Sequence, residues 1–426
     1  MKLTIHRGTH QIGGSVTEIS CGGDRVFVDF GEVLPGAEKQ PLPPIEGLTC
    51  GDVSRSALFL THYHGDHIGK LGEVADGLPV YIGKTAQAIV TCLEQRLSHI
   101  PEPFEASIHQ RMLKRLASAR VFEPLRRIRV GNMVVTPLMI DHSAFDAYMF
   151  IIEGDNRRIL YTGDFRGHGF RGKALVSMLR LYATNIDYII SEGTTLLRPQ
   201  VPMQSEKQLQ DAFRQQFLQH KYNFVLVSST NIDRLFALYH AARAAGRSFV
   251  CDEYQADILQ IVAENHAQYS PFYNMEFNPT APVAERVVVL QQKGRRPLQF
   301  QGKLKPYLEK HGYCLLIRSS PAFKPLLEAY ADSPDFNCIY SLWDGYLDKR
   351  RSAYNEALDA FLKPFPLTQL HTSGHADVDT LRLVFETVKP KSGVIPMHTE
   401  NPERFEELFR DSVRVVRLKD GVGVEV

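Results

Sequence analysis

The chain has 426 residues, of which 44% are hydrophobic and 23% are charged, and its formal net charge is +1. This composition is typical of an ordinary globular protein, and no apolar run is long enough to span a membrane. The length exceeds the size at which a single core keeps growing, so two domains are expected. Met1 to Gly8 alternates like a strand and lacks an apolar signal core, so we expect a cytoplasmic protein.

The first predicted elements are strands separated by glycine-containing turns, and one of them precedes an unusual motif. The apolar run Ala57 to Leu60 predicts a buried strand, and His62-Tyr63-His64-Gly65-Asp66-His67 follows it. Three imidazoles and one carboxylate so close together are costly to bury unless a divalent metal holds them. By chance, H-x-H-x-D-H is expected in only about one in a thousand such chains. Loops at strand ends commonly carry catalytic groups, so the motif predicts a metal site.

Further along, a helical pattern runs from Thr85 to Arg120 and is interrupted by Pro101 and Pro103. Strand patterns then end at three polar positions. Val134 to Ile140 leads into Asp141 and His142, and Ile159 to Tyr161 leads into Asp164. Near the start of the chain, a strand likewise ends at Asp29.

The motif and these strand ends resemble the metallo-β-lactamase superfamily, whose metal loop carries the same H-x-H-x-D-H. The resemblance implies that His142 is a further ligand and that Asp164 bridges two metals. It also implies that Asp29 supports the histidine loop through a hydrogen bond.

A different organisation begins after the strand Tyr188 to Ile190, which leads into Glu192. Alternating strands and helices predict an inserted parallel sheet with helices on both faces. Its predicted strands are Phe224 to Val227, Phe249 to Asp252, Tyr313 to Ile317 and Asn337 to Ser341. Ser228-Ser229-Thr230-Asn231 follows the first of these and opens a helix, where backbone amides and the helix dipole can hold phosphate. A plain helix N-cap is the alternative for this segment.

Two other features of the insert could contact nucleic acid. Trp343, the only tryptophan, could stack on a base, or it could be a packed aromatic side chain between domains. A basic stretch could line an RNA groove or form an exposed loop, and it contains Lys293, Arg295, Arg296, Lys303 and Lys305.

The first pattern resumes near residue 366, with His371, Ser373 and His375 before a helix and His398 after a strand. An insert of this size before a Ser-Gly-His segment resembles the β-CASP branch, whose members cut RNA or DNA. The fold class implied is α/β, a metallo-β-lactamase αββα sandwich with an inserted β-CASP parallel α/β domain. The corresponding boundaries are 1–195 and 366–426 for the first domain and 196–365 for the insert.

Carried onto this chain, the resemblance assigns each candidate a role. His62, His64 and His142 would hold one zinc ion, and Asp66, His67 and His398 the other, with Asp164 bridging them. The catalytic residues would be Asp66, Glu192 and His375, with His375 protonating the leaving oxygen and Glu192 orienting it or sharing the proton. His at position 398 is typical of members that act on RNA. Ser228, Ser229, Thr230 and Asn231 resemble the turn that contacts a 5′ phosphate in ribonuclease J, and His371 and Ser373 could complete such a pocket.

We therefore expect a two-zinc ribonuclease that acts on single-stranded RNA, by exonucleolytic cleavage, endonucleolytic cleavage or both. Manganese fits the same ligands. No membrane partner is expected, and a homodimer stays open. Three alternatives remain: a DNA nuclease of the same branch, a small-molecule metallo-hydrolase, and a non-catalytic RNA-binding scaffold. The small-molecule enzyme has no need for Glu192, His375 or the insert, and the scaffold would have lost metal ligands.

Overall fold

The computed structural model describes residues 1–37, 40–198, 203–292, 294 and 296–426, and the chain divides into two compact units. Residues 1–202 and 374–426 form the first unit, and residues 203–373 form the second unit. Within the described part of the chain, no helix combines the length and hydrophobicity needed to cross a bilayer.

The amino-terminal part of the first unit supplies most of its strands. They are β1 (Lys2–Arg7), β2 (Val16–Cys21), β3 (Asp24–Val28), β4 (Ser56–Phe59), β5 (Val80–Gly83), β6 (Arg120–Phe122), β7 (Ile128–Val130), β8 (Met133–Ile140), β9 (Ala147–Gly154), β10 (Arg157–Tyr161) and β11 (Tyr188–Ser191). Its helices are α1 (Gly65–Ile68), α2 (Lys84–Leu97), α3 (Pro103–Ser118) and α4 (Leu175–Tyr182). The helical pattern predicted from Thr85 to Arg120 thus forms two helices, and Pro103 lies in the first turn of the second, where a missing N–H costs nothing.

The second unit alternates helices and strands along its whole length. In chain order these are α5 (Glu206–Gln219), β12 (Tyr222–Leu226), α6 (Ile232–Ala244), β13 (Ser248–Asp252), α7 (Glu253–His266), β14 (Val288–Leu290), α8 (Leu304–His311), β15 (Tyr313–Ile317), α9 (Lys324–Glu328), β16 (Phe336–Tyr340), α10 (Glu356–Leu362) and β17 (Leu367–Gln369). The chain then returns to the first unit with α11 (Val378–Val388), β18 (Gly393–Pro396), α12 (Glu403–Phe409) and β19 (Val424–Glu425).

The first unit consists of two sheets packed face to face. Their strand orders are β19-β1-β2-β3-β4-β5-β6 and β18-β11-β10-β9-β8-β7. Buried side chains from both sheets share one core, with Ile5, Val28 and Phe59 from the first sheet meeting Phe150 and Tyr161 from the second. Burying each such side chain fully contributes about 1.5–3 kcal/mol.

Helices cover both outer faces of these sheets. Helix α2 packs against β5 and β6, and α3 packs on α2. On the other side, α4, α11 and α12 bury side chains such as Leu179, Leu381 and Phe405 against the second sheet. The layers run helix, sheet, sheet, helix, which confirms the predicted αββα sandwich.

The second unit is a parallel sheet of order β14-β13-β15-β12-β16-β17. The four strands predicted for it are all present. Helices α8, α9 and α10 pack on one face, whereas α6 and α7 belong to crossovers that move the other way across the sheet. Because parallel crossovers are right-handed, these two groups of helices lie on opposite faces. The mixed α/β class with an inserted parallel domain is thus confirmed.

The unit boundaries fall later in the chain than the predicted 195/196 and 365/366. The difference at the second boundary has a structural cause, because β17 pairs with β16 and so extends the sheet of the second unit.

Candidate metal centre

The predicted ligands follow the ends of strands in the first unit. His62 follows β4, His142 follows β8, Asp164 follows β10 and His398 follows β18. Asp66 and His67 lie in the short helix α1, directly after the first histidines. The fold thus gathers residues that are more than 300 positions apart in sequence into one cluster.

Three histidines form a first donor group. His64 Nδ1 lies 3.1 Å from His62 Nε2 and 3.2 Å from His142 Nε2. Two nitrogen ligands about 2.0–2.1 Å from a tetrahedral zinc ion are about 3.4 Å apart, so this spacing fits a shared cation. All three side chains are candidates for one ion.

Hydrogen bonds to neutral groups hold the Nδ1 atoms of His62 and His142, which are the outer ring nitrogens of this first group. His62 Nδ1 lies 3.0 Å from the Thr61 hydroxyl, and His142 Nδ1 donates to the carbonyl of Gly374 at 2.6 Å. Such bonds fix the ring orientation and leave the inner nitrogens facing one another. Thr61 and Gly374 therefore hold predicted ligands in place, although neither was predicted from sequence.

Asp66, His67, Asp164 and His398 form a second donor group. His398 Nε2 lies 3.1 Å from Asp66 Oδ2, and His67 Nε2 lies 3.1 Å from Asp164 Oδ2. Asp164 Oδ1 is buried and accepts no hydrogen bond from the described residues. A buried carboxylate oxygen without a donor is costly, and a cation would satisfy it, so this donor set fits a metal as well.

Asp164 lies between the two groups. Its Oδ2 is 3.1 Å from His67 Nε2 in the second group and 4.0 Å from His62 Nε2 in the first. This location supports the bridging role implied by the family resemblance, which stays a prediction.

Asp29 holds the histidine loop from behind. Its carboxylate accepts hydrogen bonds from His67 Nδ1 at 2.8 Å, from the Thr61 amide at 2.8 Å and from the Thr61 hydroxyl. Asp29 has a φ of +60°, a left-handed conformation that aspartate tolerates better than most residues. The aspartate therefore provides both the backbone turn and the acceptor that the loop needs.

Gly31 allows the segment around Asp66 to pack closely against the residues that follow β3, among them Asp29. A Cβ at this position would lie 1.7 Å from the backbone oxygen of Asp66. No rotamer change could relieve a clash with backbone, so only glycine fits. The glycine is visible in the sequence as Asp29-Phe30-Gly31, but the need for it can be recognised only once the position of Asp66 is known.

Buried carboxylates anchor the loop around His142 at both ends. Asp141 forms a buried ion pair with Arg166 at 3.2 Å. Asp146 accepts hydrogen bonds from the amides of Thr85 and Ala86, and so caps the start of α2. The loop that carries His142 is therefore anchored at both ends.

Burial and charge act differently on the two donor groups. Burial, aided by the neighbouring imidazoles, lowers the pKa of His62 and His142 well below the usual value, and it lowers the pKa of His64 to about 4. The first group is therefore neutral at pH 7, as metal ligation requires. In the second group burial also opposes charge, but the facing carboxylates and imidazoles outweigh it. They raise the pKa of His67 and His398 and lower the pKa of Asp66 and Asp164.

A third group adjoins the second through Asp164. His375 Nδ1 lies 3.0 Å from Glu192 Oε2 and 3.6 Å from Asp164 Oδ2. Glu192 Oε1 accepts the Phe165 amide at 2.8 Å, which fixes the carboxylate. The His375 side chain is 21% exposed and Glu192 only 1%, so the histidine faces solvent while the acid supports it.

The predicted phosphate pocket lies in the second unit. Ser228 to Asn231 connect β12 to α6, as predicted, and the Asn231 side chain accepts the Arg234 amide at 3.3 Å. Ser228 Oγ lies 3.1 Å from Thr230 Oγ1, His371 Nδ1 lies 3.3 Å from the Ser341 carbonyl, and Ser373 is buried. Asn231 is therefore an N-cap, and the phosphate role stays a prediction.

Trp343 is packed locally within the second unit. The Arg351 guanidinium lies over its ring at 5.3 Å, and a Cβ on Gly345 would lie 2.4 Å from the indole. Lys293 and Arg295, from the basic stretch, lie outside the described residues.

Comparisons with known proteins give one family match and several similar proteins. The sequence model of the metallo-β-lactamase superfamily matches residues 56–212, which include most of the predicted ligands. Ribonuclease J of Helicobacter pylori is 22% identical over 420 residues, covering 94% of this chain and 56% of that protein. Ribonuclease J of Mycobacterium tuberculosis is 26% identical over 268 residues, covering 59% and 44%. A ribonuclease of Thermus thermophilus is 27% identical over 206 residues, covering 47% and 46%.

The chain spans about half the length of the Helicobacter relative. A solved structure of a protein of unknown function from Enterococcus faecalis matches 99% of both chains with a TM-score of 0.71 and 19% identity, which shows the shared fold. Together these findings confirm the resemblance: the chain matches the metallo-β-lactamase superfamily model over residues 56–212 and is similar to ribonuclease J proteins over most of its length.

Proposed function

We propose that this protein is a metal-dependent ribonuclease that hydrolyses phosphodiester bonds of single-stranded RNA at the centre formed by the three donor groups. The observation that carries the proposal is the pairing of His375 with Glu192 beside Asp164. A metallo-hydrolase acting on a small molecule needs the metal ligands but has no need for this additional acid–histidine pair. The ribonuclease names of the relatives favour RNA over DNA.

Two divalent cations, zinc or manganese, would supply a water activated near neutral pH and neutralise charge on the phosphate. His62, His64 and His142 would hold one ion, and Asp66, His67 and His398 the other, with Asp164 shared. Asp66 and Asp164 stay ionised because the facing imidazoles lower their pKa.

The remaining step is protonation of the leaving oxygen. His375 Nδ1 donates to Glu192 Oε2, which turns the other ring nitrogen, Nε2, away from the carboxylate. A proton on Nε2 can then pass to the leaving oxygen of the RNA, while the Glu192 carboxylate stabilises the charged ring. The pocket of Ser228 to Asn231, with His371 and Ser373, would bind a terminal phosphate of the same RNA.

The test uses end-labelled RNA bearing a 5′ monophosphate or a 5′ triphosphate, with single-stranded DNA of the same sequence for comparison. We expect cleavage of RNA and a loss of about 100- to 10,000-fold in rate for His375→Ala. His99→Ala is a matched control, because His99 is an exposed histidine of the first unit. Mononucleotides from the monophosphate end alone would support the phosphate pocket, and internal fragments from both RNAs would indicate endonucleolytic cleavage. Cleavage that does not depend on His375 would contradict the proposal.

A further inference from the structure

The turn after β11 contacts both the third donor group and the second. Glu192 bonds to His375, and two residues later the Thr194 hydroxyl lies 3.0 Å from His398 Nδ1. Thr194 and His398 are both buried. The backbone of the turn contributes as well, because the Gly193 amide donates to the His398 carbonyl at 3.3 Å. One short segment therefore holds His398 through its side chain and its backbone.

His398 needs such support because its backbone is strained. Its φ is +49°, in the left-handed region that non-glycine residues rarely adopt. Such conformations cost on the order of 1–3 kcal/mol and persist only where the surroundings hold them. The His398 amide donates to the Gly8 carbonyl at 2.7 Å, which fixes one side of this residue. The Thr194 hydroxyl contacts the imidazole ring of this residue, at Nδ1.

The two ring nitrogens of His398 face different partners. Nε2 points to Asp66 Oδ2 in the second donor group at 3.1 Å, whereas Nδ1 lies 3.0 Å from the Thr194 hydroxyl and 3.4 Å from Asp164 Oδ1. Asp164 Oδ1 accepts no hydrogen bond from the described residues, so the hydrogen-bond partner of Nδ1 is Thr194. A histidine can ligate a metal through Nε2 only if the proton is on Nδ1, and that proton needs an acceptor in a buried site. The Thr194 oxygen is in the position to accept it.

We infer that Thr194 is a positioning residue that selects the nitrogen His398 presents to a metal ion. The inference rests on the metal centre of the proposed function, and it concerns one of the two metal sites only. Thr194→Val removes the acceptor with almost no change in side-chain shape, whereas Thr194→Ser keeps it. The pair therefore separates the hydrogen bond from packing.

The experiment measures zinc binding to the full chain, by competition with a chromophoric chelator after metal removal. We expect the wild type to bind two zinc ions, and Thr194→Val to weaken one of them about 10- to 100-fold while the other keeps its affinity. Thr194→Ser should restore the weakened site. Wild-type affinities for both ions in Thr194→Val, or a serine variant as weak as the valine variant, would overturn the inference.

Two further measurements assign the effect to His398. Thr194→Val should add little to the loss caused by His398→Ala, because residues that act through one another are not additive. Thermal unfolding of the metal-free variants should be close to wild type, which separates lost positioning from lost folding. Because no RNA is present, two-zinc binding weakened by Thr194→Val would support the inference even if RNA were not cleaved. A wild-type chain that binds fewer than two zinc ions would overturn both this inference and the two-metal centre of the proposed function.

Discussion

The two donor groups of the candidate metal centre consist of chemically different side chains. The group of His62, His64 and His142 consists of neutral imidazoles, held by a hydroxyl and a backbone carbonyl. The group of Asp66, His67, Asp164 and His398 already forms an array of opposite charges without any metal. Burial is the main influence on the pKa values of the histidines in the first group. In the second group, ion pairing outweighs the effect of burial on the pKa values.

This difference means that histidines in the two groups should contribute to stability through different interactions. Removing a ligand from the neutral group removes hydrogen bonds and packing. Removing an imidazole from the charged group also leaves buried carboxylates without compensation, which is more costly. The predictions below separate these contributions.

Asp164→Asn should have the largest effect, because Asp164 is the acidic residue that lies between the two groups. Losing its charge removes several kcal/mol of stabilisation from the reaction, which corresponds to a loss of cleavage rate on the order of a thousandfold. The rate should be measured on labelled RNA together with the zinc content. Asp379→Asn, at an exposed position on α11, is the matched control. A rate within tenfold of wild type would remove Asp164 from the reaction.

His67→Ala and His62→Ala should differ in stability once metal has been removed. Both substitutions remove the same atoms from fully buried positions, so the difference between them reports charge. His67→Ala removes the imidazole that pairs with both Asp29 and Asp164, and it should cost about 3–5 kcal/mol of unfolding free energy. His62→Ala breaks contacts to neutral groups and should cost about 1–3 kcal/mol. Denaturant unfolding of both chelated variants measures this, and equal losses would contradict the contrast between the groups.

Asp29→Asn should have a moderate effect on the charged group. Asparagine tolerates the left-handed backbone at this position, so the change removes mainly the charge that orients His67. Zinc affinity of the second group should fall about 10- to 100-fold, as for other residues that orient a ligand. Competition titration with a chelator measures this, and an unchanged affinity would show that Asp29 serves only the fold.

His375→Ala should have the smallest effect on metal binding. His375 bonds to Glu192, and its Nδ1 lies 3.6 Å from Asp164, beyond a hydrogen bond. Both zinc affinities should stay close to wild type even though RNA cleavage is lost. A variant that loses a zinc ion as well would place His375 among the metal ligands instead.

The candidate ligands could be found in the sequence because the chemistry is concentrated locally. His62 to His67 stand together, and the remaining ligands follow recognisable strands. The parallel insert followed from strand and helix patterns, and the αββα sandwich followed from the family resemblance. The structure confirms both, and the family match agrees with the sandwich.

The sequence could not predict the supporting contacts, because they join distant segments. Gly374 supports His142 from 232 positions away, and Thr194 supports His398 from 204 positions away. A backbone carbonyl and a single hydroxyl leave no pattern in composition or spacing. The same reason explains why the need for glycine at position 31 appears only when the oxygen of Asp66 is in place.

The most direct test of the central claim is the metal dependence of RNA cleavage. The purified chain would be stripped of metal with a chelator and assayed on labelled single-stranded RNA before and after addition of zinc or manganese. We expect no cleavage without metal, cleavage after either ion is restored, and no recovery in Asp164→Asn. Cleavage by the metal-free chain, or none after both ions have been tried, would contradict the assignment of this centre to RNA hydrolysis.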